Sequence, residues 1–218
     1  MAVLNKQAKL IYWGTSGCAS RTNLSFFNNI SEQGSWTWFP DLEYLREDNV
    51  DTKEIRTHHH EQNVPPGYED EEYKVVYMIR NPYTRFISGW LDIKREGLKS
   101  FEQYITEKVN QTQDHDWYFW EQWPLLNKSG IYPVRMENSI EDWLKIPEVI
   151  DTMGIERATE KANEILAFNP ISENKYDEYD ENGYQVVNKW FTQETADMIY
   201  DSCRWVFDIG GYDKDSWK

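Results

Sequence analysis

Two arginines and a serine are spaced in a way that suits phosphate binding. The chain reads RNPYTRFIS from Arg80 to Ser88, which places Arg85 three residues before the serine. If Pro82 begins a helix, as prolines often do, Arg85 and Ser88 share one face of it. A guanidinium group together with a serine hydroxyl is a natural clamp for a phosphate. The alternative is that both arginines form structural ion pairs, for which this acidic chain offers many partners.

A loop of small residues near the start of the chain is a second candidate anion site. It reads GTSGCAS from Gly14 to Ser20, after an apolar run and before a segment with apolar residues at helical spacing. Backbone N–H groups at such a strand–loop–helix junction can bind a phosphate or sulfate, although an ordinary tight turn has the same composition. The loop is not a Walker loop, because Gly17 is followed by Cys18 and Ala19 instead of by lysine and a hydroxyl residue. This argues against a nucleoside triphosphatase or kinase.

The elements that must position these residues alternate along the chain. Apolar segments predict strands at residues 9–13, 54–58, 74–79 and 131–136. Helical spacing predicts helices at residues 21–30, from Pro82 onward, and at 101–109, 158–168 and 193–207, whereas residues 172–183 predict a surface loop. Strands alternating with helices favour an α/β fold with a parallel sheet, which binds ligands at the carboxyl ends of its strands.

Composition limits the kinds of partner. The chain has 218 residues and a net charge of −15, from 23 basic and 38 acidic residues, and its length predicts a single domain over residues 1–218. A surface this acidic repels nucleic acid and anionic membranes, so an anionic ligand needs a local cluster of positive charge. The two cysteines exclude a disulfide framework and a cysteine-rich zinc site. No apolar stretch has the length of a membrane span or signal peptide, and we expect a soluble, cytoplasmic protein.

The segment from Arg80 to Trp90 resembles a motif of the sulfotransferases that use 3′-phosphoadenosine 5′-phosphosulfate (PAPS). It fits R-[DN]-P-x-x-R-x-x-S-x-[WY], the 3′-phosphate-binding motif of that family, and the likeness is closest to the carbohydrate sulfotransferase branch. The loop from Gly14 is similar to the family's 5′-phosphosulfate loop. Three further segments resemble the family's His-Trp segment, its R-x-E strand and its closing D-F-x-x-[FL]-G-Y, at residues 114–126, 132–138 and 206–212.

The resemblance implies a fold and a set of binding residues. The fold would be a P-loop-like three-layer α/β sandwich with a central parallel sheet and a helical C-terminal part. Arg80 and Ser88 would bind the 3′-phosphate of PAPS and of its product 3′-phosphoadenosine 5′-phosphate (PAP). The 5′-phosphosulfate would lie against Thr15, Ser16, Gly17, Cys18, Ala19, Ser20 and Arg21.

This chain departs from the family pattern at three positions. Thr15 stands where the family usually has lysine or arginine, so Arg21 or Lys9 would have to supply that cation. In the closing segment, Val206 replaces the usual aspartate and Gly210 replaces an apolar residue.

The three consecutive histidines, His58, His59 and His60, invite a catalytic interpretation. Sulfuryl transfer to a hydroxyl needs a base, and histidine is suited to that task at neutral pH. Some carbohydrate sulfotransferases resemble this chain in having a histidine after the second strand, which points to His58 or His60 as the base. A polar loop is the alternative, and a metal site lacks supporting ligands at zinc spacing. His115 and Glu137 are weaker candidates, the latter because it is expected to be a buried partner of Arg135.

The sequence therefore predicts a PAPS-dependent sulfotransferase that acts on a hydroxyl group without a metal. A carbohydrate is the expected acceptor, because tryptophans near the family's acceptor region could stack on sugar rings, although they could equally form core (Trp117, Trp120, Trp123). The main rival is a catalytically weak nucleotide- or glycan-binding module on the same fold, supported by Thr15. A kinase is disfavoured by the missing Walker lysine. The oligomeric state is left open.

Overall fold

A computed structural model describes a sheet and the helices around it. The residues described are 2–5, 7–13, 18, 23, 26–27, 30, 36–38, 72–94, 100–110, 130–168 and 187–218. The predicted strand at 54–58 and the predicted loop at 172–183 lie outside them. The strands are β1 (Ala2–Asn5), β2 (Leu10–Trp13), β3 (Trp36–Trp38), β4 (Lys74–Ile79) and β5 (Ile131–Arg135).

The five strands form one sheet with the order β3-β1-β2-β4-β5. β2 and β4 are parallel, with Leu10 opposite Lys74 and Trp13 opposite Tyr77. Their carboxyl ends therefore lie at the same edge of the sheet, as expected for an α/β fold. The sheet as a whole is mixed, because β1 is antiparallel to both β2 and β3. A tight turn through Ala8, whose N–H donates to the Asn5 Oδ1 at 2.9 Å, makes β1 and β2 a hairpin.

Within the described residues, the chain divides into two compact units, Met1–Met78 with Trp117–Ile171, and Ile79–Asp116 with Ser172–Lys218. The core of the first unit covers one face of the sheet. Alternate residues of the strands, such as Tyr12 and Val76, pack there against Trp143, which is 1% exposed. This unit contains the helices α3 (Ser139–Trp143), α4 (Pro147–Met153) and α5 (Ile155–Phe168). Four residues of the predicted helix at 21–30 are described and all are buried: Asn23, Phe26 and Phe27 are helical, and Ile30 lies at a bend.

The second unit is held together by aromatic side chains between helices. It contains α1 (Pro82–Lys94), α2 (Phe101–Asn110), α6 (Gln193–Ser202) and α7 (Arg204–Gly210). The Tyr83 ring packs edgewise against Phe191 and Phe207, with ring centroids 5.2 and 5.3 Å apart. Phe101 packs against Phe191 at 5.3 Å and so joins α2 to the same cluster. These contacts fix the first turn of α1, which lies between the candidate phosphate-binding residues Arg80 and Ser88.

The observed helices begin and end close to the predicted positions, with one break. The strand at 74–79 and the helix start at Pro82 are confirmed. The predicted helix at 193–207 is two helices, because the Cys203 backbone, at φ −109° and ψ 17°, leaves helical geometry. Along the described parts of the chain, no helix combines the length and the apolar character needed to cross a bilayer.

Candidate active site

Arg80 is a buried cation directly after the central strand β4. Only 3% of it is exposed. Its Nε donates a hydrogen bond to the Thr84 Oγ1 at 2.9 Å, and this hydroxyl in turn donates to the Asn81 carbonyl oxygen at 3.0 Å. The contact to Thr84 uses one of the five guanidinium N–H groups and fixes the plane of the group. A guanidinium whose plane is fixed in this way suits bidentate recognition of a phosphate.

Asn81 caps the helix that follows. Its Oδ1 accepts a hydrogen bond from the Tyr83 backbone N–H at 3.0 Å, which satisfies one of the free donors at the start of α1. Pro82, which has no N–H, occupies the first helical position. The start of α1 is therefore rigid and carries the partial positive charge of a helix N-terminus.

Ser88 lies one helical turn after Thr84 and is half-buried. Because residues four apart share a helix face, Thr84 and Ser88 lie on one face of α1. Arg80 precedes the helix and is joined to that face by its hydrogen bond to Thr84. Arg85 is instead 4% exposed and lies near the thiol of Cys203. Burial raises the pKa of that thiol to about 11, and the Arg85 charge acts in the opposite direction. Arg85 thus belongs to the interior of the second unit.

The small-residue loop is described at Cys18 alone. That residue is fully buried in the core with Tyr12 and Phe27. The other predicted residues of the loop lie outside the described part (Thr15, Ser16, Gly17, Ala19, Ser20, Arg21). The side chain of Cys18 is therefore part of the core, and only the backbone of this residue could contact a ligand.

Lys9 does not provide the cation that Thr15 lacks. It precedes β2, at the opposite end from the loop, and its Nζ lies 3.2 Å from the Glu72 carboxylate. The hydrogen bond to Glu72 raises the pKa of Lys9. Arg21 is then the remaining candidate of the two, and it lies outside the described residues.

Arg135 binds a different carboxylate from the one expected. Its Nε and Nη2 donate to the Asp142 Oδ2 and Oδ1 at 2.8 and 2.7 Å, and its backbone N–H donates to the same Oδ2 at 3.0 Å. Burial by itself raises the pKa of Asp142, but the hydrogen bonds and charge of Arg135 outweigh it and hold this pKa below its ordinary value. Glu137 is exposed, so its expected role as a buried partner of Arg135 is wrong.

The packing around Gly210 accounts for the glycine at this position, where the family pattern has an apolar residue. A Cβ at this position would lie 2.7 Å from the Tyr212 Cδ2 and 2.9 Å from the Ile79 Cδ1. The Tyr212 ring thus takes the space that an apolar side chain at 210 would occupy. Ile79 is the last residue of β4, so this packing lies next to Arg80 in the chain.

The candidate catalytic histidines lie outside the described residues, and so do three of the tryptophans proposed for an acceptor (His58, His60, Trp117, Trp120, Trp123). The metal alternative for the histidines is untested for the same reason. In the described ranges, no group of three or more histidine, cysteine, aspartate or glutamate side chains could hold a metal ion.

One residue that holds Arg80 was missed in the sequence. Thr84 fixes the guanidinium plane, whereas the family motif includes Asn81 but leaves position 84 open. A threonine four residues after an arginine is a recognisable contact position, and this spacing could have found Thr84.

Comparison with known protein families matches residues 26–143, more than half of the chain, to the model for the sulfotransferase domain. The matched range includes Arg80 and Ser88 and begins after the loop of residues 14–21. No curated protein and no solved structure matches the chain.

Proposed function

The chain belongs to the sulfotransferase domain family, and we propose that it transfers a sulfuryl group from PAPS to a hydroxyl group of a carbohydrate. The family match supports sulfuryl transfer in general. The observation that carries the proposal for the donor is Arg80, a buried guanidinium between the end of β4 and the capped start of α1. A buried cation beside a helix N-terminus suits a phosphate group. We assign it to the 3′-phosphate, the group that PAPS and PAP have and AMP lacks.

Arg80 and Ser88 are the residues that would hold the 3′-phosphate of PAPS. The fixed guanidinium plane favours a bidentate contact, and the Ser88 hydroxyl can add a further hydrogen bond from the same helix face. The loop at residues 14–21 would surround the 5′-phosphosulfate with backbone N–H groups. When bound, PAPS supplies the sulfuryl group and a phosphate leaving group.

The chemistry left to the protein is positioning, charge stabilisation and proton removal. His58 or His60 would accept the proton of the acceptor hydroxyl as its oxygen bonds to sulfur. The bond from sulfur to the phosphate oxygen breaks at the same time, and PAP leaves with that electron pair. Backbone donors of the loop and one cation, for which Arg21 is the candidate, would stabilise the oxygens on which charge develops.

We also propose that residues 1–218 form a single sulfotransferase-like domain with a P-loop-like sandwich. The parallel pair β2 and β4 supports this proposal, since the carboxyl ends of the two strands lie at the same sheet edge.

A catalytically weak binding module is the second candidate. It is favoured by the missing basic residue at Thr15 together with the pairing of Lys9 to Glu72. Transfer of radiolabelled sulfate from PAPS to a panel of carbohydrates separates the two functions. A module that binds PAP but transfers no label would replace the enzyme proposal.

The test of the donor site compares PAP with AMP, which lacks the 3′-phosphate. PAP at one hundred times its dissociation constant should stabilise the fold by about 2.7 kcal/mol, and AMP at the same concentration by less. Arg80→Ala should abolish the difference, because a lost charged hydrogen bond costs about 1.5–3 kcal/mol. Arg80→Lys should restore part of it, because a point charge cannot replace the bidentate fork.

Arg157→Ala, at an exposed arginine on α5, is the matched control and should leave both thermal shifts unchanged. Equal shifts for PAP and AMP in the wild-type protein would contradict the assignment of the 3′-phosphate to Arg80 and Ser88.

A further inference from the structure

We infer that residues 212–218 are a clasp that positions Arg80 for the donor nucleotide. The inference rests on the proposed function, since it concerns the same 3′-phosphate site. The clasp is defined by its contacts to the start of α1, all within the second unit, and it includes none of the residues already assigned to the nucleotide.

The clasp contacts the residue that precedes α1 and the first turn of α1. The Asn81 Nδ2 donates to the Ser216 Oγ at 2.9 Å, and the Tyr83 hydroxyl donates to the Lys214 carbonyl oxygen at 2.7 Å. The Tyr83 side chain is fully buried among Phe191 and Phe207. Burial, and then the charges of nearby aspartates, raise the pKa of its hydroxyl above the ordinary value, so it remains a donor.

The clasp is also held by α7, which precedes it, and by contacts to Asp197 and Asn188. α7 ends at Gly210 and is followed by Gly211, whose φ is +63°. The Tyr212 N–H donates back to the Phe207 carbonyl at 3.0 Å. This left-handed ending turns the chain toward α1. The Lys214 Nζ lies 3.0 Å from the Asp197 carboxylate on α6, and the Asn188 Nδ2 donates to the Lys218 carbonyl at 3.3 Å.

Three hydrogen bonds connect the clasp to the guanidinium, with Asn81 linked to Ser216 through its side chain and to Thr84 through its main chain. Ser216 holds the amide of Asn81, the Asn81 carbonyl accepts from the Thr84 hydroxyl, and that hydroxyl accepts from the Arg80 Nε. A shift of Asn81 would therefore move the acceptor that sets the guanidinium plane. Bidentate recognition of the 3′-phosphate depends on that plane, whereas binding of the adenine and of the 5′-phosphate does not. Loosening the clasp should weaken the binding of PAP selectively.

The experiment uses the full chain with Tyr83→Phe and Ser216→Ala combined. Tyr83→Phe keeps the buried ring and removes only the bond to Lys214. The dissociation constants of PAP and AMP are measured by calorimetry. We expect the value for PAP to rise about tenfold and the value for AMP to stay within about twofold, since two hydrogen bonds of modest net strength are lost. Tyr83→Phe with Ser216→Thr, which keeps the hydroxyl, should regain part of the PAP affinity.

Tyr132→Phe is the matched control, because it removes the hydroxyl bond to Glu148 (3.2 Å) in the first unit. It should leave both dissociation constants unchanged. If the wild-type protein does not prefer PAP over AMP, the proposed function fails. If the wild-type protein prefers PAP and the double variant keeps that preference, the clasp inference is overturned. An equal loss of PAP and AMP binding would also overturn it, since it would indicate general unfolding of the second unit.

Discussion

At the scale of single residues, Asp142 is a buried carboxylate whose ionised form depends on one guanidinium. Asp142→Asn should lower the free energy of unfolding by about 1.5–3 kcal/mol at pH 7, because it removes the charged bidentate bond to Arg135. The folded-state pKa of Asp142 lies below its ordinary value. Its stabilisation is therefore complete above the unfolded pKa of about 3.9 and is lost as the pH falls through the folded value.

Urea unfolding of wild type and Asp142→Asn at pH 7 and below pH 4 tests this. The difference between the two proteins should shrink in acid, while Glu141→Gln, at an exposed carboxylate, should have a much smaller effect at either pH. A difference that stays constant across this range would rule out ionic stabilisation by Asp142.

The histidine segment carries the prediction about proton removal. Alanine at the catalytic position, His58 or His60, should lower turnover by about 10²–10⁴-fold and leave PAP affinity nearly unchanged. The wild-type rate should rise with pH through a pKa near ~6.5 if the neutral imidazole is the active form. If the strand predicted at 54–58 continues through the histidines, His59→Ala should be mild, because adjacent residues of a strand point to opposite faces. Full transfer of labelled sulfate by a His58→Ala, His60→Ala double variant would redirect the search to Glu137.

The candidate phosphate-binding residues could be named from the sequence, and their distant partners could not. Arg80 and Ser88 were proposed because residues 80–90 resemble the 3′-phosphate-binding motif of the sulfotransferase family. Ser216 was not found, because nothing near it in the chain indicates a partner 135 residues away. Arg135 was paired with its near neighbour Glu137, whereas the turn into α3 brings Asp142 to it.

At the scale of elements, the end of α7 depends on the absence of a side chain at position 210. Gly210→Ala adds a methyl group that must displace the Tyr212 ring. Alanine normally favours a helix over glycine by about 1 kcal/mol, but overpacking typically costs about 1–3 kcal/mol, so we expect a net loss of stability. Thermal unfolding monitored by calorimetry gives the size of that loss.

A double-mutant cycle identifies the cause. In a Tyr212→Ala background, Gly210→Ala should cost much less, because the ring has been removed. Gly211→Ala has open space around it and a left-handed backbone, so its cost should be the same in both backgrounds. Equal costs of Gly210→Ala with and without the Tyr212 ring would show that the ring is not the obstacle.

Elements were predictable where one local pattern dominates. The continuous apolar run of β4 is buried on both faces of the sheet, and Pro82 defines the start of α1. β1 and β3 were missed because they are only four and three residues long. Both depend on pairing within the sheet, where β1 lies between β2 and β3. The break at Cys203 was missed because that residue carries no helix-breaking side chain.

At the scale of the whole molecule, the net charge of −15 acts against the folded state. Sodium chloride shortens the Debye length to about 10 Å at 0.1 M and should raise the melting temperature at pH 7. A rise of about 2–4 °C corresponds to ~1 kcal/mol for a chain of this size. The salt effect should largely vanish near the isoelectric point of 4.7. Differential scanning calorimetry at both pH values checks this, and equal salt effects would exclude charge repulsion as the cause.

The contacts between the clasp and α1 also set an order of events during synthesis. Asn81 and Ser216 are separated by 135 residues, and Tyr83 and Lys214 by 131. Contacts this distant in sequence form late, because a long segment must close before they are made. On a ribosome, α1 would emerge long before the clasp and its packing partners Phe191 and Phe207 are translated. A nascent chain of that length would therefore carry Arg80 without the contacts that hold the start of α1. Competence to discriminate nucleotides would arrive in a single late step, after most of the fold already exists.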